Sequence, residues 1–365
     1  MPLFIKDFWL EIIMYCVMVF TVSFLLTKFI NRFAIKSSIE DDPNSAKFRK
    51  FQINPIPLLG GNGAVVTSII FTALLWLVQH YNIFGLRLLN LNLTPFRIIY
   101  LILAIFVLLF IGFLDDKYQL NPKFQFLGIL MAIFICIFLG NIRINSITIF
   151  NDFNYIISIA ITTIWLGFCT ASTKFLDGHD GLVVTVGMFN FLTIAHISLL
   201  SYINQPLVFL LSLTWTMALI PTLFKNFPQA SSYIGEGASE IIGFSIGALA
   251  ILSGAKVATT LSILGWFILD IFLVWLIRLF DGRNPITSSD RNHWHHRLLR
   301  VGFNKLQVLI ITWIILIISS FIGVYGDTYQ KTTLLAFQIL LMIIIFVYTS
   351  INDTTKNDKY DSTNA

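Results

Sequence analysis

Ten residues, DRNHWHHRLL at 290–299, place three histidines, an aspartate and two arginines side by side. Neutral imidazoles at His293, His295 and His296 can bind a transition metal, but their spacing is not the i, i+4 pair of a zinc helix, and no cysteine accompanies them. With Arg291, Arg297 and Arg283 they form a cationic patch suited to phosphate, which arginine grips through paired hydrogen bonds. Carboxylates are the other candidates. Asp115 and Asp116 end the apolar run LLFIGFLDD, Asp177 and Asp180 stand three apart in DGHDG, and Glu236 sits among small residues in GEGAS. Such hard oxygen donors suit Mg²⁺ better than zinc. Beside a cluster that holds phosphates they make the equipment of phosphoryl transfer, where catalysis is mainly positioning and charge neutralisation. Plainer readings exist for each: a solvated helix end, an Asp/Gly turn, a small-residue loop, and a basic loop touching anionic lipid.

The elements that must position these residues are set by composition. The chain has 365 residues, of which 56% are hydrophobic and 12% charged, with 35 phenylalanines. A soluble domain carries roughly a quarter charged residues, so this is a membrane protein. A hydrocarbon core of ~30 Å needs about 20 helical residues. On that measure there are about eleven spans, near 8–30, 58–79, 97–114, 124–140, 154–171, 182–203, 206–224, 240–253, 258–280, 306–325 and 332–351, the one at 240–253 being short. The expected fold is all-α and polytopic: a single integral-membrane domain over 1–351, then a polar, disordered tail over 352–365. No β-barrel alternation and no internal repeat is visible. The first apolar run lacks a small-residue cleavage site and reads as a retained span. Cys16, Cys136 and Cys169 lie in apolar segments and suggest neither disulfides nor a thiolate metal site.

Orientation follows from the basic residues. Only Lys6, Arg87, Arg97, Arg143, Lys256 and Lys331 fall on one side of the eleven-span map, while the loops after odd-numbered spans and the C-terminal tail hold most of the rest. By the positive-inside rule the N-terminus is then outside and the C-terminus cytoplasmic. The net charge of +5 reflects this asymmetry together with an anionic partner at the inner face, and no nucleic-acid motif accompanies it. Every dense polar cluster, including FLDDKYQLNPK with Lys123 and STKFLDGHDGL with Lys174, falls on the cytoplasmic side. Five loops on one face build one site, open to a soluble nucleotide and to a lipid phosphate.

Five segments in order, DDPNSAKFRKFQINPIPLLGG, FLDDKYQ, KFLDGHDGL, YIGEGASEIIG and RLFDGRNPITSSDRNHWHHRLLRVGF, carry a resemblance over about Asp42 to Phe303. The chain resembles the polyprenyl-phosphate N-acetylhexosamine-1-phosphate transferases of glycosyltransferase family 4, which begin O-antigen and teichoic-acid synthesis. The resemblance implies transfer of an N-acetylhexosamine 1-phosphate, GlcNAc 1-phosphate first among them, from a UDP-sugar to undecaprenyl phosphate with release of UMP. It implies Mg²⁺, with Mn²⁺ able to substitute, and a bacterial cytoplasmic (inner) membrane location with the site facing the cytoplasm. A homodimer is compatible with it. It also implies roles: Asp115, Asp116, Asp177 and Asp180 at the catalytic centre; Asp116, Asp180 and Glu236 at the metal; Arg291, His293, His295, His296, Lys123 and Lys174 at the substrates.

Three positions depart from the family pattern. Lys174 and Ala171 stand where asparagines are frequent, GEGAS replaces the usual GDxGS, and Gln52 stands where a histidine often follows the first basic pair. The set of charges stays complete, which favours an active enzyme. The phospho-muramyl-pentapeptide translocase, a scaffold homologue and a transporter are the alternatives. A transporter places polar residues at mid-membrane, where only Asp270 is a conspicuous acid here.

Overall fold

The computed structural model describes residues 3–41, 54–81, 95–146, 153–200, 203–253, 257–283 and 292–352. Arg291, most of the first polar loop and the C-terminal tail lie outside the described residues. The chain forms two compact units, Met1–Val257 and Ala258–Ala365.

The first unit is built from α1 (Leu3–Lys36), α2 (Asn62–His80), α3 (Pro95–Tyr118), α4 (Pro122–Phe134), α5 (Tyr155–Lys174), α6 (Leu182–Ser198), α7 (Pro206–Asn226) and α8 (Glu236–Leu252). Between α1 and α2, Glu40–Asp41 pairs antiparallel with Ile56–Pro57, closing the first polar loop at its base. A π-helical turn, Ile135–Leu139, lengthens α4. In the second unit α9 (Val257–Phe280) precedes a short helix, α10 (Trp294–Arg300), and the pair α11 (Lys305–Tyr325) and α12 (Thr328–Ile351). Capping boxes at Asn304/Gln307 and Asp327/Gln330 start α11 and α12.

All eleven apolar segments are helices, of differing length. Among the described residues nine helices are long and apolar enough to cross a membrane. The two that fall short are α6 and α8, with 17 residues each. At 1.5 Å per residue such a helix covers about 25 Å. Their surroundings explain how they remain stable at that length. In α8 everything from Gly237 to Ala250 is buried, so it is enclosed by protein. Other helices of the same unit carry the apolar exposure, as at Trp9, Phe106 and Ile156, which is the pattern of side chains facing lipid.

Small residues let the helices close on α8. A Cβ on Gly112 of α3 would stand 2.3 Å from the Cα of Gly237, so the two backbones touch. A Cβ on Gly243 would stand 2.2 Å from the Cys169 carbonyl oxygen of α5, and Trp165 of α5 donates its indole N–H to the Gly247 carbonyl at 3.2 Å. Glycine at helix crossings permits such approach in membranes, where dispersion and backbone contact replace the hydrophobic drive.

Candidate active site

The α3–α8 contact brings the end of one helix to the start of the other. Asp115, buried, accepts from the Leu120 N–H at 2.8 Å and turns the chain out of α3. Asp116 reaches across 120 positions of sequence: its Oδ1 accepts from the Glu236 N–H at 3.0 Å, capping the first turn of α8. A carboxylate is favoured there because a helix N-terminus carries unpaired N–H groups and positive potential. Its second oxygen, Oδ2, is buried without a hydrogen-bond partner. Gly235 makes room for it. A Cβ at that position would stand 2.7 Å from Asp116 Oδ2, and its φ of +89° suits glycine alone.

The α5–α8 contact sets Lys174 into the same cluster. Its ammonium lies 2.5 Å from Glu240 Oε1, 2.5 Å from Gln125 Oε1 and 3.4 Å from Glu236 Oε2. The loop from α5 to α6 carries Asp177 and Asp180. Asp180 Oδ2 accepts from the N–H groups of Gln229 and Ala230 at 3.3 and 3.4 Å, while Asn226 accepts from Gly181 N–H and donates to the Ser232 carbonyl. Those bonds clamp the DGHDG loop to the segment before α8. That segment is stitched in turn to the PIPLLGG motif: Tyr233 N–H donates to Pro57, and the N–H groups of Gly60 and Gly61 donate to Tyr233 and Ile234. Four of the five polar motifs therefore meet in one place.

The charges in this place are unbalanced. The carboxylates acting on Asp116 are those of Asp177, Glu236 and Asp115. Burial, with Glu236 and Glu240 adding to it and Lys174 opposing, pushes the Asp177 carboxyl up to about 7. Burial and the Asp180, Asp41 and Asp177 charges push the Tyr233 phenol up to about 12. For Asp177 the folded protein holds its proton more tightly than the unfolded chain, so its contribution to stability is full below the ordinary aspartate range and is lost as pH rises through about 7. Asp177→Asn should therefore unfold at a higher temperature than the parent at pH 8 in EDTA, with the difference closing toward pH 4. Thermal unfolding in detergent across that range measures it, and a gap independent of pH would contradict the assignment.

Among the described residues no three His, Cys, Asp or Glu side chains converge on one metal position, and the Asp180 carboxylate is committed to the 229–230 loop. The donor chemistry nonetheless fits a divalent cation. Hard oxygens repel one another, and Asp116 Oδ2 is buried with no proton donor to satisfy it.

The histidine motif belongs to the second unit. Asp270 of α9, 2% exposed, accepts from His293 Nδ1 at 2.7 Å and from the Trp294 N–H at 2.8 Å, fixing the start of α10. The rings of His293 and His295 lie nearly parallel with centroids 6.1 Å apart, and His296 sits 4.2 Å from His295. Arg297 braces α10 against α12: its guanidinium donates to Ser350 and lies over the Phe346 ring. Arg283 pairs with Asp281. Lys123 is exposed at the first turn of α4, behind the Asn121 cap.

Glu240, Gln125 and Asn226 complete the site; Glu240 stands inside YIGEGASEIIG without being singled out there, and Gln125 and Asn226 lie outside the five segments. Glu240 alone carried a signal: an acid inside an apolar helix, one turn after Glu236, is costly unless paired.

Helices that can cross a bilayer, ending in a cluster of carboxylates with one lysine, define a polytopic membrane protein with a charged site at one end of its helices. Residues 98–254 match the family described as Glycosyl transferase family 4. Relatives agree over nearly the whole chain. It is 27% identical over 345 residues to a Bacillus subtilis (strain 168) protein named "Probable undecaprenyl-phosphate N-acetylglucosaminyl 1-phosphate transferase", covering 91% of this chain and 90% of that one. It is 26% identical over 350 residues to the Escherichia coli (strain K12) undecaprenyl-phosphate alpha-N-acetylglucosaminyl 1-phosphate transferase, covering 91% and 88%. To the Pasteurella multocida (strain Pm70) protein of that name it is 28% identical over 353 residues, covering 91% of each. The chain is thus similar to glycosyl transferase family 4 through residues 98–254, and to the named transferases along most of its length.

Proposed function

We infer that this protein transfers an N-acetylhexosamine 1-phosphate, GlcNAc 1-phosphate first among the candidates, from a UDP-sugar to undecaprenyl phosphate. UMP leaves, and the lipid-linked diphosphate sugar begins a cell-surface glycan. The observation that carries the reading is the cluster of Asp115, Asp116, Asp177 and Glu236 around the unsatisfied Asp116 oxygen, with the Lys174 ammonium beside it, in a chain similar along nine-tenths of its length to proteins named for this transfer. The asymmetry of basic residues supports eleven crossings of a bacterial cytoplasmic membrane, with the site on the cytoplasmic side where UDP-sugars are found.

Asp116 and Glu236 would hold Mg²⁺, with Asp177 or Asp180 as the third carboxylate. A bound Mg²⁺ supplies charge neutralisation at the diphosphate oxygens. The residues of the chain supply the rest. Lys174 donates to a phosphate oxygen, and Asp115 shapes the loop after α3. His293, His295, His296 and Arg291 belong to the loop that grips the nucleotide-sugar diphosphate. The accepting lipid phosphate has a second pKa near 6, so it is largely ionised at neutral pH and needs little help from a base.

Purified protein should release UMP from UDP-GlcNAc only when undecaprenyl phosphate and Mg²⁺ are both present, with UDP-GalNAc and a 6-deoxy UDP-HexNAc ranking the sugars. Full turnover in EDTA would remove the metal from the account. Absence of UMP release with every UDP-sugar would remove the reaction.

A further inference from the structure

Lys174 is held asymmetrically. An ammonium has three N–H donors. Two face partners at 2.5 Å, Gln125 of α4 and Glu240 of α8, and the third faces Glu236 at 3.4 Å. The tight side is the enclosed one: the Glu240 side chain is 5% exposed and that of Glu236 54%. A buried carboxylate at position 240 needs a cation, and one tight partner would satisfy that need. A second neutral acceptor at the same distance adds nothing to charge balance, but it removes the freedom of the ammonium to swing. Glu236 and Glu240 are one helical turn apart on the same face of α8, so a lysine anchored at the inner one must reach the outer one. Lys174 is also the last residue of α5, where the helix dipole favours a cation.

We propose that Glu240 and Gln125 are positioning residues that hold the Lys174 ammonium as a tethered cation beside Glu236, with its third N–H kept available for an oxygen of the sugar-nucleotide diphosphate. When Glu236 engages a divalent ion, its contact with Lys174 is given up and that donor passes to the substrate. This inference rests on the transferase reading, and it assigns Glu240 and Gln125 a role that neither the polar motifs nor the departures from the family pattern contain.

The test separates anchoring from folding. Replacing the pair together, Lys174→Met with Glu240→Leu, substitutes apolar side chains for a largely buried ion pair, a change that is often neutral for stability. That variant should unfold near the parental temperature and still bind Mn²⁺, read by electron paramagnetic resonance. Its dissociation constant for UMP with Mn²⁺ present, and its KM for UDP-GlcNAc, should rise on the order of 10- to 100-fold, the range of a lost charge-assisted hydrogen bond, with KM for undecaprenyl phosphate unchanged. Glu240→Gln alone frees the ammonium to close on Glu236, and Mn²⁺ affinity should fall severalfold. Parental UMP affinity in a folded double variant would overturn the proposal. Should the double variant not fold, unchanged Mn²⁺ and UMP affinity in Glu240→Gln would overturn it equally. A parent that binds UMP but transfers no sugar phosphate would instead count against the transferase reading, since the binding measurements do not require turnover.

Discussion

Asp116→Asn should lower turnover by about 10²- to 10³-fold, the scale seen when one electrostatic contact is removed from a transferring group, in a protein that remains folded. Asparagine has the shape of aspartate and keeps an oxygen able to accept the Glu236 N–H, so the cap on α8 survives. The substitution changes the other atom. Where the parent has a buried carboxylate oxygen with no hydrogen-bond partner, the variant presents an uncharged NH₂ that cannot hold a cation. Loss of UMP release together with loss of Mg²⁺-induced thermal stabilisation is the expected pair of results. Turnover near the parental value with normal unfolding would show that Asp116 serves only as a cap.

A second large effect should come from a residue with no functional group. Gly112→Val places side-chain carbon where the Gly237 backbone lies 2.3 Å from the first added atom. No rotamer escapes a clash at the Cβ, so α3 and α8 must separate. Overpacking of this kind costs about 3 kcal/mol at the upper end of its usual range. The separation also moves Asp116 away from the Glu236 N–H, and a displacement near 1 Å can cost about 100-fold in rate. Both unfolding temperature and UMP release should fall, whereas Gly167→Ala, where no atom lies within 4 Å of the added carbon, should lower neither. Parental stability in Gly112→Val would mean that the two helices are not in backbone contact.

What could be read from the chain and what could not divide along physical lines. Long apolar runs declare themselves because lipid demands them, and α1, α3, α11 and α12 stand where the hydropathy puts them. α6 and α8 are helices as expected but too short to satisfy a span criterion, because a helix enclosed by protein is released from the length that lipid imposes. The carboxylates of the site were legible as types: acids at the end of an apolar run and beside glycines. Their partners were not. The ion pair of Lys174 with Glu240 joins positions 66 apart, and only the α5–α8 crossing at Gly243 brings them together. Asp180 illustrates the reverse case. Its place in DGHDG marks it for chemistry, while the structure gives its Oδ2 two backbone N–H donors from residues 229 and 230. Arg297 likewise reads as a phosphate ligand by type, and is spent on Ser350 and Phe346.

The enclosure of α8 also bears on how the protein is made. A 17-residue helix that opens with two glutamates within five positions has a weak claim on the bilayer by itself, since about 20 apolar residues are the usual requirement for insertion. Its glycine faces have nothing to lie against until α3 and α5 are already in place. Chains emerge N-terminus first, so both partners precede it into the membrane, and Asp116 waits at the end of α3 for an N–H that is synthesised 120 residues later. Insertion of α8 is thus a docking event onto a prepared groove, and the centre of charge comes into existence only as this helix is seated.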